Sequence, residues 1–446
     1  MHESFAQRLA ANRLTRRDVL KLFGASLAAS ATASLSGCAT SPVDGSTILV
    51  GMSEAQERAV DKELAPHQFS QDMGAVQDGE ANAYVAEVGT RLHQKSHRPQ
   101  MPYSYRVLNA NYLNAYTFPG GAMGVTRGLM VELENEAQLA ALLGHEIGHV
   151  NARHAAQRQG QGLVAQVAVS ALAAASDARW QPLVAVAGQI GASALLASYS
   201  RDNEREADAL GQEYMVRAGY PASGMVGLQG LLLKEAKEKP SLIETMFSSH
   251  PMSSERYETA RQLAQGKYAS SLTANPGRER FMDRTAALRA KKPVIDACKE
   301  GETALSKKKF DEAGERFGHA LRLLPEDYPA NLLMAKCLAA QGKNAEALRY
   351  AEAARQVYPQ EAQAAKLIGS LRLALHQPEA AFAAFDQFDR LLPGDPGIAF
   401  LKGASLEAAG NRKAAAEHYA RFLKTGATGK PAEHARERLK SWGYLR

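Results

Sequence analysis

His145-Glu146-Ile147-Gly148-His149 sets two imidazoles and a carboxylate within five residues. On an α-helix, residues four apart stand one turn above each other, with Cβ atoms about 5 to 6 Å apart. Both imidazoles therefore reach one zinc ion at the roughly 2.0 to 2.1 Å that zinc–nitrogen bonds require. Glu146 projects beside the pair, where a carboxylate serves as general base and not as ligand. The apolar stripe of Leu139, Leu143, Ile147 and Val150 lies on the order of 140° round the helix from the histidines, so one face docks on a core and another looks into a site.

A hydrolytic zinc takes three protein ligands and keeps one position open, so a third ligand is needed. Arg201-Asp202-Asn203-Glu204-Arg205-Glu206-Ala207-Asp208 offers one on a second helical segment. Glu204 and Asp208 share a face at i, i+4, whereas Glu206 points elsewhere. The economical arrangement has Glu204 as ligand and Asp208 as hydrogen-bond partner of a ligand histidine. His154, five residues past His149, cannot share its face on a continuous helix and reads as a structural hydrogen-bond partner.

The elements around these residues follow from local signals. Ser53 with Gln56 forms a capping box that opens a helix to about Phe69. Ala81, Tyr84, Val85, Val88 and Leu92 make the stripe of a second helix, and Tyr103, Tyr105 and Val107 alternate as in a half-buried strand. Residues 114 to 118 and 122 to 126 flank Pro119-Gly120-Gly121, the chemistry of a hairpin turn. Asn135, with Gln138 three residues on, caps a long helix expected to run to roughly Arg158. Residues 161–197 are rich in Ala, Val and Gly, in two runs each shorter than the roughly 20 residues of a membrane-crossing helix. They read as a buried helical hairpin in preference to a lid or a membrane-facing surface.

From residue 294 the sequence repeats every 34 residues: Pro325, Pro359 and Pro393; Ala313, Ala347, Ala381 and Ala415; and Gly301, Ala335, Gly369 and Gly403. Small residues let paired helices approach closely and the prolines end each second helix, which is the mechanics of a tetratricopeptide repeat. Phe317, Phe385 and Tyr419 hold the matching aromatic position; Ala351 stands there in repeat two, which is expected to pack more loosely, and the fourth repeat reads as terminal. Four repeats fill 294–446, with 266–293 as connector around Asn275-Pro276-Gly277.

At 446 residues the chain calls for at least two domains. A mean hydropathy of -0.31 excludes a multi-span membrane protein. The net charge of +6 is not gathered into a basic run with interleaved aromatics, so nucleic acid is not an expected partner. Residues 1–37 read as an export signal: Arg16-Arg17 stands in a twin-arginine-like context, and Leu35-Ser36-Gly37-Cys38 resembles a lipobox. Cys38 is the expected lipidated residue, 38–52 the tether and 53–265 the catalytic domain. Cys298 and Cys337 are left as a pair or as two buried thiols.

Asn135-Glu136-Ala137-Gln138-Leu139-Ala140, His145 to His149, Arg153-His154 and Glu204-Arg205-Glu206-Ala207-Asp208 together resemble the HtpX-like and CAAX-prenyl-protease family of gluzincin metallopeptidases. Asn114-Ala115-Tyr116 resembles that family's strand beside the cleft, and His250-Pro251 followed by Arg256 resembles a further motif. With export and repeats added, the likeness is to its soluble BepA-type branch. The resemblance implies an α+β, mostly α fold: a helical peptidase domain with a small sheet, followed by an all-α solenoid. It implies one zinc per chain on His145, His149 and Glu204, with Glu146 as general base and His250 near the cleft. His250 then either fills the fourth zinc position in a latent enzyme or stabilises the oxyanion. The expected substrates are unfolded or misassembled envelope proteins, held as an added strand along Asn114, Ala115 and Tyr116. The repeats are expected to dock substrate or outer-membrane assembly machinery, and the rival reading is a chaperone or adaptor with little proteolysis. The expected location is the periplasm, lipid-anchored at the outer membrane.

Overall fold

The computed structural model describes residues 37–162, 199–238, 250–251 and 253–445. The segment read as an export signal, up to residue 36, and the apolar stretch from residue 163 lie outside the described residues. Residues 38–52, read as a tether, form a hairpin of β1 (Cys38–Thr40) and β2 (Thr47–Leu49). Val50 and Met52 then bury against Ala156.

Helix α1 (Glu54–Gln71) opens on the Ser53–Gln56 capping box and is followed by α2 (Gly79–His93), which buries Ala81, Tyr84, Val85, Val88 and Leu92. Three strands follow: β3 (Ser104–Leu108), β4 (Ala115–Thr117) and β5 (Ala122–Thr126), in sheet order β3-β5-β4. β4 and β5 form the hairpin turned by Pro119-Gly120-Gly121, with Tyr116 opposite Gly124. β3 runs parallel to β5, with Tyr105 opposite Met123, and so puts β4 at the edge. Asp61 of α1 fixes the turn, accepting the N–H of Gly120 at 2.6 Å and of Ala122 at 2.7 Å.

After the short α3 (Arg127–Met130) comes α4 (Glu136–Asn151), capped by Asn135 and buried at every residue. Its first residue, Glu136, accepts from Tyr84, Tyr220 and Arg280, which anchors the helix start in the core. The expected run to Arg158 is broken: Arg153 has φ +58 and the chain turns before resuming helical form at His154. The break is held by polar contacts. Arg153 donates to Glu57 at 2.8 Å and to the Met52 carbonyl at 2.9 Å, and Arg98 donates to the Val150 carbonyl and to Glu57. Then follow α5 (Arg201–Arg217), α6 (Ser223–Glu238), α7 (Ser254–Gln265), α8 (Arg278–Arg284) and α9 (Ala286–Ala290).

The repeats are antiparallel helix pairs: α10 (Lys292–Ser306) with α11 (Phe310–Leu323), α12 (Tyr328–Ala340) with α13 (Asn344–Val357), α14 (Ala362–Ala374) with α15 (Pro378–Leu391), and α16 (Pro396–Ala408) with α17 (Arg412–Lys424). A further helix, α18 (Lys430–Ser441), covers α17. Glycine is required where an aromatic ring fills the pair: a Cβ on Gly301 would stand 2.4 Å from the Phe317 ring, and one on Gly369 2.5 Å from Phe385. In repeat two both positions are alanine, Ala335 and Ala351, and both are fully buried. A methyl on each helix thus takes the place of the glycine and ring of the other repeats.

The solenoid is docked on the peptidase part within one compact unit, Cys38–Arg446. Buried Arg127 makes a two-bonded pair with Asp327, at 2.6 and 3.1 Å, while Asn111 accepts from the same guanidinium. Buried Glu361 accepts from Ser70 and from Tyr328. Cys298 and Cys337 are free, buried thiols, and burial pushes the Cys298 thiol up.

Candidate metal centre

Two helices meeting backbone to backbone build the site. On α4, a Cβ on Gly148 would lie 2.8 Å from the Ala207 carbonyl oxygen of α5; on α5, one on Gly211 would lie 2.7 Å from the His145 nitrogen. Gly144 and Gly148 on one helix and Ala207 and Gly211 on the other, each pair four apart, form facing stripes of small residues. This close approach is what lets the short side chain of Glu204 reach the histidines. Ser200 caps α5 through a box with Asn203, and Ser253 caps α7, whose third residue, Arg256, turns into the site.

His145, His149, Glu204 and His250 each offer one ligand atom, all within 4.8 Å of one another and all buried. The two imidazole Nε2 atoms are 3.1 Å apart; Glu204 oxygens lie 3.5 Å from His145 Nε2 and 3.4 Å from His149 Nε2. His250 Nδ1 lies 3.0 Å from Glu204 Oε1 and 3.3 Å from His145 Nε2. Tetrahedral ligands on a zinc ion at roughly 2.0 to 2.1 Å stand about 3.3 Å from each other. These separations match that edge length, including those of His250 to Glu204 and His145.

Charge makes the same fit. Among the described residues, Glu146, Glu204 and Asp208 bring three buried carboxylates against one guanidinium, Arg256, which lies 2.8 Å from Glu204 and 2.6 Å from Asp208. With neutral imidazoles, a divalent cation balances the excess. Neither oxygen of Glu146 has a hydrogen-bond partner among the described residues, although the side chain is buried. Burial pushes the Glu146 carboxyl up, against the pull of His250 and His145. Burial also holds His149 well below the usual imidazole range, the neutral form a metal needs. Burial opposes ionisation of Glu204, yet His250, His149 and His145 outweigh it and hold the carboxyl below its ordinary range.

Around the ligands, His145 Nδ1 lies 2.9 Å from Asp208, which also accepts from Gln229 and from two nitrogens of Arg256. A carboxylate on Nδ1 leaves Nε2 as the lone-pair nitrogen, the tautomer of a metal ligand. His149 Nδ1 contacts His154 Nδ1 at 2.8 Å, and Tyr199 stacks on the His149 ring with centroids 4.0 Å apart. Arg158 in turn lies over the Tyr199 ring, 4.7 Å from its centroid.

The structure brings His145, Glu146, His149, Glu204, Asp208 and His250 together. Ala115 and Tyr116 lie buried in the edge strand and Asn114 buried just before it, and Thr117 borders a small cavity with His149 and Tyr199. Cys38 stands exposed on β1 and is not part of this group. Sequence reasoning quoted Arg256 but gave it no role, and it missed Tyr199. It also passed over the facing small residues, which were legible as Gly144, Gly148, Ala207 and Gly211 at four-residue spacing.

A buried two-histidine, one-glutamate cluster with an adjoining glutamate free of hydrogen bonds among the described residues, on facing helices beside a small sheet, defines a metallopeptidase-type domain. Residues 80–264 match peptidase family M48 and residues 304–371 match a tetratricopeptide repeat family. The chain thus carries a peptidase family M48 domain followed by tetratricopeptide repeats. The beta-barrel assembly-enhancing protease of Yersinia pestis is 28% identical over 228 residues, 48% of this chain and 46% of that protein. The protein of the same name in Escherichia coli K12 is 28% identical over 187 residues, 41% of this chain and 38% of its own length. Metalloprotease YcaL of Escherichia coli K12 is 32% identical over 167 residues, 37% of this chain and 64% of that protein. The similarity spans about half the length of the first of these relatives. Among the described residues, no helix is long and apolar enough to cross a membrane.

Proposed function

We propose that this chain is a zinc-dependent endopeptidase of a bacterial envelope, exported, lipid-anchored through Cys38 and acting on unfolded or misassembled envelope proteins. The observation that carries the reading is the convergence of His145, His149, Glu204 and His250 beside the Glu146 carboxylate, which has no hydrogen-bond partner among the described residues. His145, His149 and Glu204 would hold a zinc ion, which would supply a Lewis acid for the scissile carbonyl and lower the pKa of a water at the site. Glu146 takes the proton of the attacking water and delivers it to the leaving amine. Asp208, clamped by Arg256, holds His145 in the ligand tautomer. His250 would be a fourth residue able to hold the ion in a latent enzyme, a role supported by its ligand-like spacing from Glu204 and His145. A substrate backbone adds to β4 as a further strand. That role is supported by the edge position of β4 in the sheet.

The envelope location is supported by the lipobox-like run before Cys38 and by relatives named for beta-barrel assembly. The repeats dock substrate or the outer-membrane assembly machinery. The test is metal analysis of the purified protein with casein digestion, wild type beside Glu146→Gln. One zinc per chain in both, with cleavage only in the wild type, is the expected result. Loss of zinc in Glu206→Ala, with full content in Glu204→Ala, would reassign the third ligand. Retained in-cell function in Glu146→Gln would favour the adaptor reading. Cys38→Ser is expected to release the protein from membranes.

A further inference from the structure

The two ligand histidines are held from behind by different devices. His145 Nδ1 meets the buried carboxylate of Asp208 directly. His149 Nδ1 meets an imidazole: His154 Nδ1 lies 2.8 Å away, and His154 Nε2 lies 3.2 Å from Glu206 Oε2. His154 is fully buried, while the Glu206 side chain is 45% exposed. The break at Arg153 makes this possible, because its φ of +58 turns the chain and brings His154 back behind His149.

A contact between two imidazole nitrogens needs one proton and one lone pair. His149 Nε2 is the nitrogen aimed at the cluster, 3.1 Å from His145 Nε2, and must present a lone pair to a metal. Its proton is therefore on Nδ1, and His154 Nδ1 accepts it. A neutral His154 then carries its own proton on Nε2, where Glu206 accepts. Only one arrangement of protons satisfies all three groups.

We infer that His154 and Glu206 are positioning residues that fix His149 as an Nε2 metal ligand, a carboxylate–imidazole relay ending at the protein surface. The three acids of the Glu204-Arg205-Glu206-Ala207-Asp208 segment then have three distinct duties: Glu204 ligates, Asp208 orients His145, and Glu206 orients His149 through His154. The inference rests on the zinc reading above, and its test separates the two.

The experiment is zinc affinity of the purified full chain, measured by competition with a chromophoric chelator, for the wild type, Glu206→Ala, Glu206→Gln, His154→Phe and the His154→Phe, Glu206→Ala double variant. Outer partners of ligand histidines typically contribute about 10 to 100-fold in metal affinity, and His154→Phe is expected in that range. Glu206→Ala, at an exposed position that folding tolerates, is expected to weaken zinc binding about 10-fold, with Glu206→Gln restoring it by keeping an acceptor. In the His154→Phe background, removing Glu206 is expected to change nothing further, because the two act in one chain. Wild-type affinity in Glu206→Ala, or additive losses in the double variant, would overturn the relay while leaving the zinc site intact. A wild type that binds no zinc would overturn the metal reading itself.

Discussion

Gly144 of α4 faces Gly211 of α5 so closely that a Cβ on Gly144 would stand 2.9 Å from the Gly211 carbonyl oxygen. The two helices carry all the proposed zinc ligands but His250, so their separation sets whether Glu204 reaches the histidines. Gly211→Val is expected to force the helices apart at a cost of about 1–3 kcal/mol, the usual range for overpacking. Thermal unfolding with zinc analysis checks this: a lowered midpoint accompanied by loss of zinc is expected. Full zinc content would mean that Glu204 does not depend on the close approach.

His250 lies at ligand distance from Glu204 and His145, and its Nε2 is 3.8 Å from Glu146. His250→Ala is expected to raise peptidase rate with zinc retained, because the fourth position opens. A fall of about a hundred- to a thousand-fold with zinc retained would instead assign His250 to the oxyanion. An unchanged rate would leave it neither role.

The Arg127–Asp327 pair joins the peptidase part to the repeats while buried on both sides. Removing one partner of such a pair leaves an uncompensated buried charge, so Arg127→Ala is expected to destabilise the protein by about 3–5 kcal/mol. Replacing both, as Arg127→Met with Asp327→Leu, is expected to recover most of that loss. Urea unfolding of the two variants beside the wild type decides it. A wild-type midpoint in Arg127→Ala would place the strength of the interface elsewhere.

Burial pushes the Asp61 carboxyl up to about 7 from an ordinary 3.8, although the N–H groups of Ala122 and Gly120 pull the other way. Between these values the folded state holds a proton that the unfolded state has lost, so this contribution to stability falls as pH rises through the window. It is complete below 3.8 and gone above about 7. Thermal midpoints at about pH 4 and about pH 8 should show the wild type losing stability relative to Asp61→Asn. An equal difference at both pH values would mean that Asp61 is ionised throughout.

Much of the site and fold was legible because the responsible physics is short-ranged. The pitch of a helix brings His145 and His149 to one side, and the same rule put Glu204 with Asp208. Caps at Ser53 and Asn135, the Pro119-Gly120-Gly121 turn and the 34-residue period of the repeats are likewise local chemistry written in adjacent residues. What lay beyond the sequence depends on which distant surfaces pack. Arg153 takes a left-handed conformation because Glu57 and the Met52 carbonyl, far away in the chain, hold its guanidinium. That turn sends His154 behind His149, and it gives Glu206, which helical spacing pointed away, a partner. Arg256 binds Asp208 and Arg127 binds Asp327 across 48 and 200 residues. No periodicity encodes such pairs, since a buried charge takes its partner from whatever the tertiary packing sets beside it.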